Sequence, residues 1–141
     1  MNQDNSNEWL GAEAERDDKP LMVRARKFSR KPASNSRLPF LLVVDFTYEA
    51  DDNVGLPNDI QYNILDEFEK NALDEMEKAG SLELVFIETC NGLVRYYSYV
   101  ADVSAIVNQI DDIISGSSDF NFSSNFDPDW LEYGKKISLV S

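Results

Sequence analysis

The stretch from residue 38 to residue 80 constrains the fold most, because it places a buried strand just before a long amphipathic helix. The run FLLVVDFTY at 40–48 has the two-residue alternation of a β-strand. From residue 56 to residue 79, apolar residues recur at three- and four-residue steps, which is the period of one helix face. The residues expected to turn that face into the core are Ile60, Ile64, Phe68, Ala72, Met76 and Ala79. A strand that leads into such a helix indicates a sheet covered by helices.

The rest of the chain supplies three more strands and a second helix. Two β-rich runs, SLELVFIETC and LVRYYSYVAD, flank Asn91-Gly92, which is a strong signal for a tight hairpin turn. A helix then begins with Asp102 or Ser104 as its N-cap. Its apolar stripe consists of Val103, Ile106, Val107, Ile110, Ile113 and Ile114. Residues 120–126, FNFSSNF, alternate again and predict a last strand.

From residue 38 the predicted order is therefore strand, helix, strand, strand, helix, strand. This βαββαβ order is that of ferredoxin-like folds, in which two helices cover one face of a four-stranded antiparallel sheet. The expected fold class is α+β, a ferredoxin-like two-layer sandwich at 38–126 within a single domain of residues 1–141. Residues 127–141 are expected to form a C-terminal tail that packs Trp130 and Tyr133 back onto the body.

Residues 1–37 precede this core and predict an N-terminal β-hairpin extension followed by a basic loop. Alternating side chains on either side of Asp17-Asp18 indicate the two strands of the hairpin. The loop at 29–37, SRKPASNSR, combines proline, serine, asparagine and cations without periodicity. The hairpin either adds to a sheet edge or covers part of the helix-free face, and the sequence leaves both arrangements open.

The net charge of −13 is distributed unevenly along the chain. Residues 1–37 contain eight Lys or Arg and six Asp or Glu, whereas residues 38–141 contain five and twenty. Such an acidic body repels the phosphates of DNA or RNA, so direct nucleic-acid binding is not expected. A basic protein is the partner that this charge favours, although acidity that serves only solubility accounts for it equally well.

The composition gives little support to catalysis. Histidine is absent, which removes the commonest general base and the commonest metal ligand. Cys90 is the single cysteine, so it can form neither an internal disulfide nor a cysteine-based zinc site. The acidic turn at 49–55 lacks the spaced oxygen ligands of an EF-hand. No catalytic residue, cofactor or metal site is therefore predicted.

The cellular location is predicted from the length of the apolar runs and from the composition of the first residues. No apolar run approaches the roughly 18 to 20 residues that a membrane-spanning helix needs, so no membrane association is expected. The start of the chain, MNQDNSNEWLG, has neither the basic region nor the apolar stretch of a secretory signal. We expect a cytoplasmic protein, and its oligomeric state stays open.

Several motifs together resemble one known family. They are Trp9, the LPFLLVV strand, Asn53-Val54-Gly55-Leu56-Pro57 after the acidic turn, Asn91-Gly92, Arg95-Tyr96-Tyr97-Ser98-Tyr99 and Asp127-Pro128-Asp129-Trp130. In their order and spacing the chain resembles the bacterial domain-of-unknown-function family 695, and the resemblance spans most of its length. In fold and charge alone it also resembles the ribonuclease E regulator B proteins, which implies a ferredoxin-like protein that binds a nuclease.

Charge and missing chemistry predict a non-enzymatic acidic protein-binding module. An inhibitor or immunity-type protein that neutralises a basic partner, such as a toxin nuclease, is the expected role, because carboxylates can mimic substrate phosphates and steer association. The predicted partner-binding residues lie on the two helices and are Asp66, Glu69, Asp74, Glu77, Asp111 and Asp112. The alternatives are a constitutive cytoplasmic regulator of a ribonuclease and a small carboxylate- or metal-dependent hydrolase.

Overall fold

A computed structural model describes residues 8–27, 37–51, 53–115 and 117–140. The strands are β1 Glu8–Arg16, β2 Lys19–Lys27, β3 Phe40–Thr47, β4 Leu82–Cys90, β5 Leu93–Val100 and β6 Phe120–Phe126. The helices are α1 Asp59–Phe68, α2 Asp74–Lys78, α3 Val103–Ile114 and α4 Leu131–Ser138, and a π-helical segment, Glu69–Leu73, joins α1 to α2. The basic loop predicted at 29–37 lies outside the described residues except for Arg37.

The six strands form one antiparallel sheet in the order β1-β2-β4-β5-β3-β6, so the prediction of an α+β fold with an antiparallel sheet is confirmed. The N-terminal hairpin extends an edge, because β2 pairs with β4 from Met22 opposite Thr89 to Ala25 opposite Phe86. Its turn uses Asp17 and Asp18, both with positive φ. The arrangement that the sequence left open is therefore the edge extension.

The β4–β5 hairpin turns at Asn91-Gly92, as predicted. Asn91 has φ +46° and Gly92 has φ +89°, which is the left-handed backbone that a type I′ turn requires. Gly55, in the loop between β3 and α1, packs against this turn. Its carbonyl accepts a hydrogen bond of 3.1 Å from the Gly92 N–H. Because Gly55 also has φ +85°, and a Cβ there would lie 2.9 Å from the Asn91 Cα, glycine is the residue that this close approach allows.

The first helical region begins with a strong cap. Asn58 accepts a hydrogen bond from the backbone N–H of Gln61, and the Gln61 side chain accepts one from the Asn58 N–H, which completes a capping box. From there α1, the π segment and α2 run as one continuous helical path of 59–78, so the prediction of a long helix is confirmed in outline. Asp102, one of the two predicted caps, is the N-cap of α3.

The predicted core face of the long helix is wrong at its two ends. Phe68, Ala72 and Met76 are buried, but Ile60 is 72% exposed and Ile64 is 45% exposed. A residue every four positions drifts by about 40° per step around a helix of 3.6 residues per turn, so a stripe anchored at Phe68 leaves the core toward Ile60. The wider π turn after Phe68 counteracts that drift. Ala79 is exposed because α2 ends at Lys78 and Ala79 is its C-cap. Leu65 and Leu73, which the predicted face omitted, are buried.

The core on the helical face combines α1, the π segment, α2 and α3 with alternate side chains of β3 to β6. Its buried members include Leu42, Val44, Phe46, Leu65, Phe68, Ile106, Ile110 and Phe120. The predicted stripe of α3 is buried at Ile106 and Ile110, whereas Ile113 is 42% exposed. This layer positions the candidate site described below.

The opposite face of the sheet has its own core, and the C-terminal tail covers part of it. Trp130 and Tyr133 are buried there as predicted, together with Leu41, Val85, Phe86, Tyr97 and Tyr99. Trp130 stacks on Tyr99 with ring centroids 4.3 Å apart. The other tryptophan, Trp9, lies partly exposed on β1, 5.2 Å from the Arg26 guanidinium carbon. The tail is helical as α4, which the sequence analysis did not predict.

Candidate functional site

The outer side of the helical layer concentrates negative charge. Residues 59–78 contain seven Asp or Glu and two Lys, and residues 103–114 contain two Asp and no cation. We call the exposed side of these two segments the acidic helical surface. Most cations of the described part of the chain lie elsewhere, on the N-terminal hairpin, β5 and α4. The two helical segments therefore carry far more carboxylates than cations, whereas the N-terminal hairpin carries both kinds of charge.

Four of the six predicted partner-binding residues are exposed on this surface. Asp66 lies 3.8 Å from Lys70 with its side chain 68% exposed, so this ion pair is a weak surface contact. Asp74, Asp111 and Asp112 are exposed as well. Their carboxylates point to solvent, where a partner could reach them.

The other two predicted residues, Glu69 and Glu77, hold the helices to the N-terminal hairpin. Glu69 accepts hydrogen bonds from the Tyr96 hydroxyl at 2.8 Å and from Arg24 at 2.9 Å. Glu77 pairs with Arg26. Both arginines lie on β2, which reaches the helices only because the hairpin joins the sheet beside β4. The two carboxylates are thus engaged within the molecule, and their prediction as partner contacts remains untested.

An apolar groove of about 250 Å³ crosses the acidic helical surface between α1 and α3. Ile64 and Ile113, which the sequence placed in the core, line the groove, and Phe68 and Phe120 also contribute to its lining. Glu67 and Asp119 add carboxylates to the lining. Apolar side chains surrounded by polar groups are the usual anatomy of a protein-interaction site.

A larger cleft of about 620 Å³ lies between the hairpin and α1. Its charged lining includes Arg24 and Glu69, which pair with each other, and Tyr96 donates to the same carboxylate. Burial, and next the neighbouring Glu69 carboxylate, raise the pKa of Tyr96, so its hydroxyl stays protonated and acts as the donor. Through these hydrogen bonds Glu69 connects the helical layer to β2 and β5.

Reactive groups are sparse within the described ranges. No cluster of three or more His, Cys, Asp or Glu suitable for a metal ion occurs in residues 8–27, 37–51, 53–115 and 117–140. Cys90 is a buried free thiol at the end of β4. In a chain without histidine, the sequence leaves no imidazole that could activate it.

Two buried carboxylates fasten the C-terminal segment to the sheet. Glu88 pairs with Lys136 of α4 at 3.1 Å and accepts a hydrogen bond of 3.2 Å from the Tyr97 hydroxyl. Asp127 accepts hydrogen bonds from the Tyr99 hydroxyl at 2.8 Å and from the first N–H groups of α4. Every one of these groups has its partner inside the fold, so the contacts attach α4 to the sheet.

Comparison with known proteins gave one match. A family model described as "Family of unknown function (DUF695)" matches residues 7–135. Neither a search of curated proteins nor a search of solved structures found a significant match. Within the described residues, no helix combines the length and the apolar character that crossing a membrane requires.

Proposed function

This chain belongs to the DUF695 family, and since that family has no assigned function, we propose one from its surface: a non-enzymatic protein-binding module whose acidic helical surface docks a basic protein. The observation that carries the proposal is the excess of negative charge on the segments that form this surface. They contain nine carboxylates and two lysines, and two of the nine, Glu69 and Glu77, pair with arginines of β2. Long-range attraction from such a surface accelerates association with a cationic partner and opposes wrong ones.

The apolar groove supplies what charge alone does not. A partner with an aromatic or aliphatic side chain flanked by Lys or Arg would bury that side chain between Ile64 and Ile113, where both are already half exposed. Glu67 and Asp119, which line the groove, would then meet the flanking cations. Central apolar burial inside a charged rim is the arrangement that concentrates binding energy in protein interfaces.

Within this class we propose an inhibitor or immunity-type protein that neutralises a basic partner such as a toxin nuclease. The alternative is a constitutive regulator of a ribonuclease. Both use the same surface, because a nuclease cleft that binds phosphates is itself basic. The position of the gene separates the two, since an immunity gene lies directly beside the gene of its toxin.

The proposal extends to the finer fold and to the location. Strands β3 to β6 with the helices on one face are proposed to form a ferredoxin-like unit, supported by the order β4-β5-β3-β6 and the helical connections before β4 and β6.

A cytoplasmic location is proposed as well. A chain with one buried thiol and no disulfide suits a reducing compartment.

The experiment compares two charge-reversal variants in capture from a lysate at low and high salt. The test variant carries Asp74→Lys, Asp111→Lys and Asp112→Lys. Asp66 is left unchanged because it forms an ion pair with Lys70. The control carries Glu13→Lys, Glu15→Lys and Asp129→Lys at exposed positions elsewhere, so both change the net charge equally. Proteins eluted at each salt concentration are identified by mass spectrometry.

The wild type and the control should retain a basic protein that the test variant releases, and retention should weaken as salt rises. Equal loss with both variants would mean that only net charge matters and that the helical surface is not the site. Failure to retain any basic protein at low salt would overturn the proposed function.

A further inference from the structure

Strand β6 is an edge of the sheet that the described residues form, and its sequence lacks the usual protection of an edge. Among the described residues it pairs only with β3. Its seven residues, FNFSSNF, contain no charge and no proline, although 28% of the whole chain is charged. Natural sheets normally block such an edge with charges, prolines or bulges. The opposite edge, β1, follows that rule with Glu13, Glu15 and Arg16.

The backbone of β6 directs hydrogen-bonding groups outward at alternate positions. At the ends of the β3–β6 ladder, the Thr47 N–H donates to the Asp119 carbonyl at 2.9 Å and the Asp127 N–H donates to the Pro39 carbonyl at 2.8 Å. Odd-numbered residues of β6 therefore point their N–H and C=O groups toward β3. The even-numbered residues Phe122, Ser124 and Phe126 present theirs to the open side.

The strand is also complementary to itself. When a second β6 runs antiparallel to the first about Ser123, phenylalanine meets phenylalanine at 120 and 126, and asparagine meets asparagine at 121 and 125. Phe122 meets Ser124, and these are the positions whose backbone groups point outward. Side-chain match and hydrogen-bonding register thus agree on one alignment.

We propose that β6 pairs with β6 of a second copy of this chain, antiparallel about a two-fold axis at Ser123, to give a continuous sheet through a homodimer. The pairing is isologous, as most homodimer interfaces are. It would cover Phe126, which is 67% exposed, and would set it opposite the partner's Phe120. No charged side chain lies between Asp119 and Asp127, so the paired strands themselves contain no charge. The same alignment sets Asp119 opposite the partner's Asp127 just beyond each end of the strands, where like charges meet.

The salt dependence of this interface is opposite to that of the proposed docking surface. Each chain has a net charge of −13, so two copies repel each other at long range and salt relieves the repulsion. Dimerisation should therefore strengthen as salt rises, whereas binding of a basic protein should weaken. The two proposals can fail independently of each other.

The test measures mass by sedimentation velocity over a range of concentrations at low and high salt. The wild-type chain should change from its monomer mass of 16.0 kDa to twice that value, at lower concentration when salt is high. Ser123→Lys places two cations opposite each other on the axis, and Ser123→Glu places two anions there. Each variant should be monomeric alone, and an equimolar mixture of the two should restore the dimer.

Two further variants complete the design. Ser104→Lys makes the same change at an exposed position of α3 and should dimerise like the wild type. Ser124→Pro removes an outward N–H without removing a bond to β3, and it should raise the dissociation constant at least tenfold. A wild-type chain that stays at 16.0 kDa at both salt concentrations overturns the proposal. Dimers of either Ser123 variant alone, or a mixture that stays monomeric, overturn it too.

Discussion

Replacing Asp127 with alanine should destabilise the protein by about 3 kcal/mol. The side chain of this 7%-exposed residue accepts hydrogen bonds from the Tyr99 hydroxyl at 2.8 Å, the Leu131 N–H at 2.9 Å and the Glu132 N–H at 3.0 Å. Loss of a helix cap costs about 1 kcal/mol. Loss of the acceptor for the buried Tyr99 hydroxyl adds about 1–3 kcal/mol. The contributions share one carboxylate and are not fully additive, which sets the total near 3 kcal/mol.

The measurement is urea unfolding at pH 7 followed by circular dichroism, with a thermal scan beside it. For a chain of this length, about 3 kcal/mol corresponds to a fall in Tm of about 10 °C. Asp129→Ala is the matched control, because Asp129 is an exposed carboxylate in the same turn. That control should change the free energy of unfolding by no more than about 0.5 kcal/mol.

The pH dependence of the stability difference between wild type and Asp127→Ala tests whether the ionised carboxylate is the stabilising group. Burial alone would raise the pKa of Asp127, but the N–H groups of Glu132 and Leu131 and the Tyr99 hydroxyl outweigh it and hold the pKa below its usual value. A carboxyl with a depressed pKa stabilises the fold above its unfolded pKa of about 3.9, and the contribution is lost as pH falls through the folded pKa. The gap between wild type and Asp127→Ala should therefore shrink below about pH 4. A gap under about 1 kcal/mol at pH 7, or one that does not change on acidification, would refute the reasoning.

Three other outcomes are expected from unfolding measurements. Gly55→Ala should cost at least about 2 kcal/mol, because its Cβ would lie 2.9 Å from the Asn91 Cα, whereas Gly11→Ala, with open space at its Cβ, should be nearly neutral. Arg26→Met should cost about 2 kcal/mol because the Arg26 side chain is 9% exposed and pairs with both Glu77 and Glu83. Arg24→Met should cost under about 1 kcal/mol because the Arg24 side chain is 54% exposed, and equal costs would contradict this. The Tm should rise with added NaCl, since salt screens the repulsion within a chain of net charge −13, and a falling Tm would argue against it.

Local chemistry explains the parts of the fold that the sequence predicted. Asn91-Gly92 determines its own turn, because two positive φ values are needed and these two residues adopt them readily. Asp102 likewise caps α3 through a bond to a residue three positions away, the Ala105 N–H. Strand alternation and helix period then give the order of elements, which the structure confirms.

Long-range pairing explains what the sequence could not predict. Glu69 and Glu77 look like free carboxylates on a helix until β2 brings Arg24 and Arg26 against them. Nothing near either glutamate in the sequence signals an arginine some fifty positions away, and the hairpin could have been placed on a sheet face instead.

The groove was missed for a related reason. Ile64 and Ile113 are apolar residues with the spacing of a core stripe, so pattern alone assigns them to the interior. Their exposure depends on the rotation of α1 before the π segment and on the distance between α1 and α3, which only the packed structure defines. One signal was present in the sequence: strict four-residue steps exceed the 3.6-residue turn and cannot stay on one face.

The two tryptophans give the protein a pair of separate optical reporters. Trp130, buried against Tyr99, should emit at short wavelength, whereas Trp9, partly exposed on the edge hairpin, should emit further to the red and be open to a soluble quencher. Detachment of β1 alone would change only the quenchable red component. Loosening of α4 would instead shift the short-wavelength emission of Trp130, so the emission spectrum distinguishes opening of the edge hairpin from exposure of the sheet face under α4.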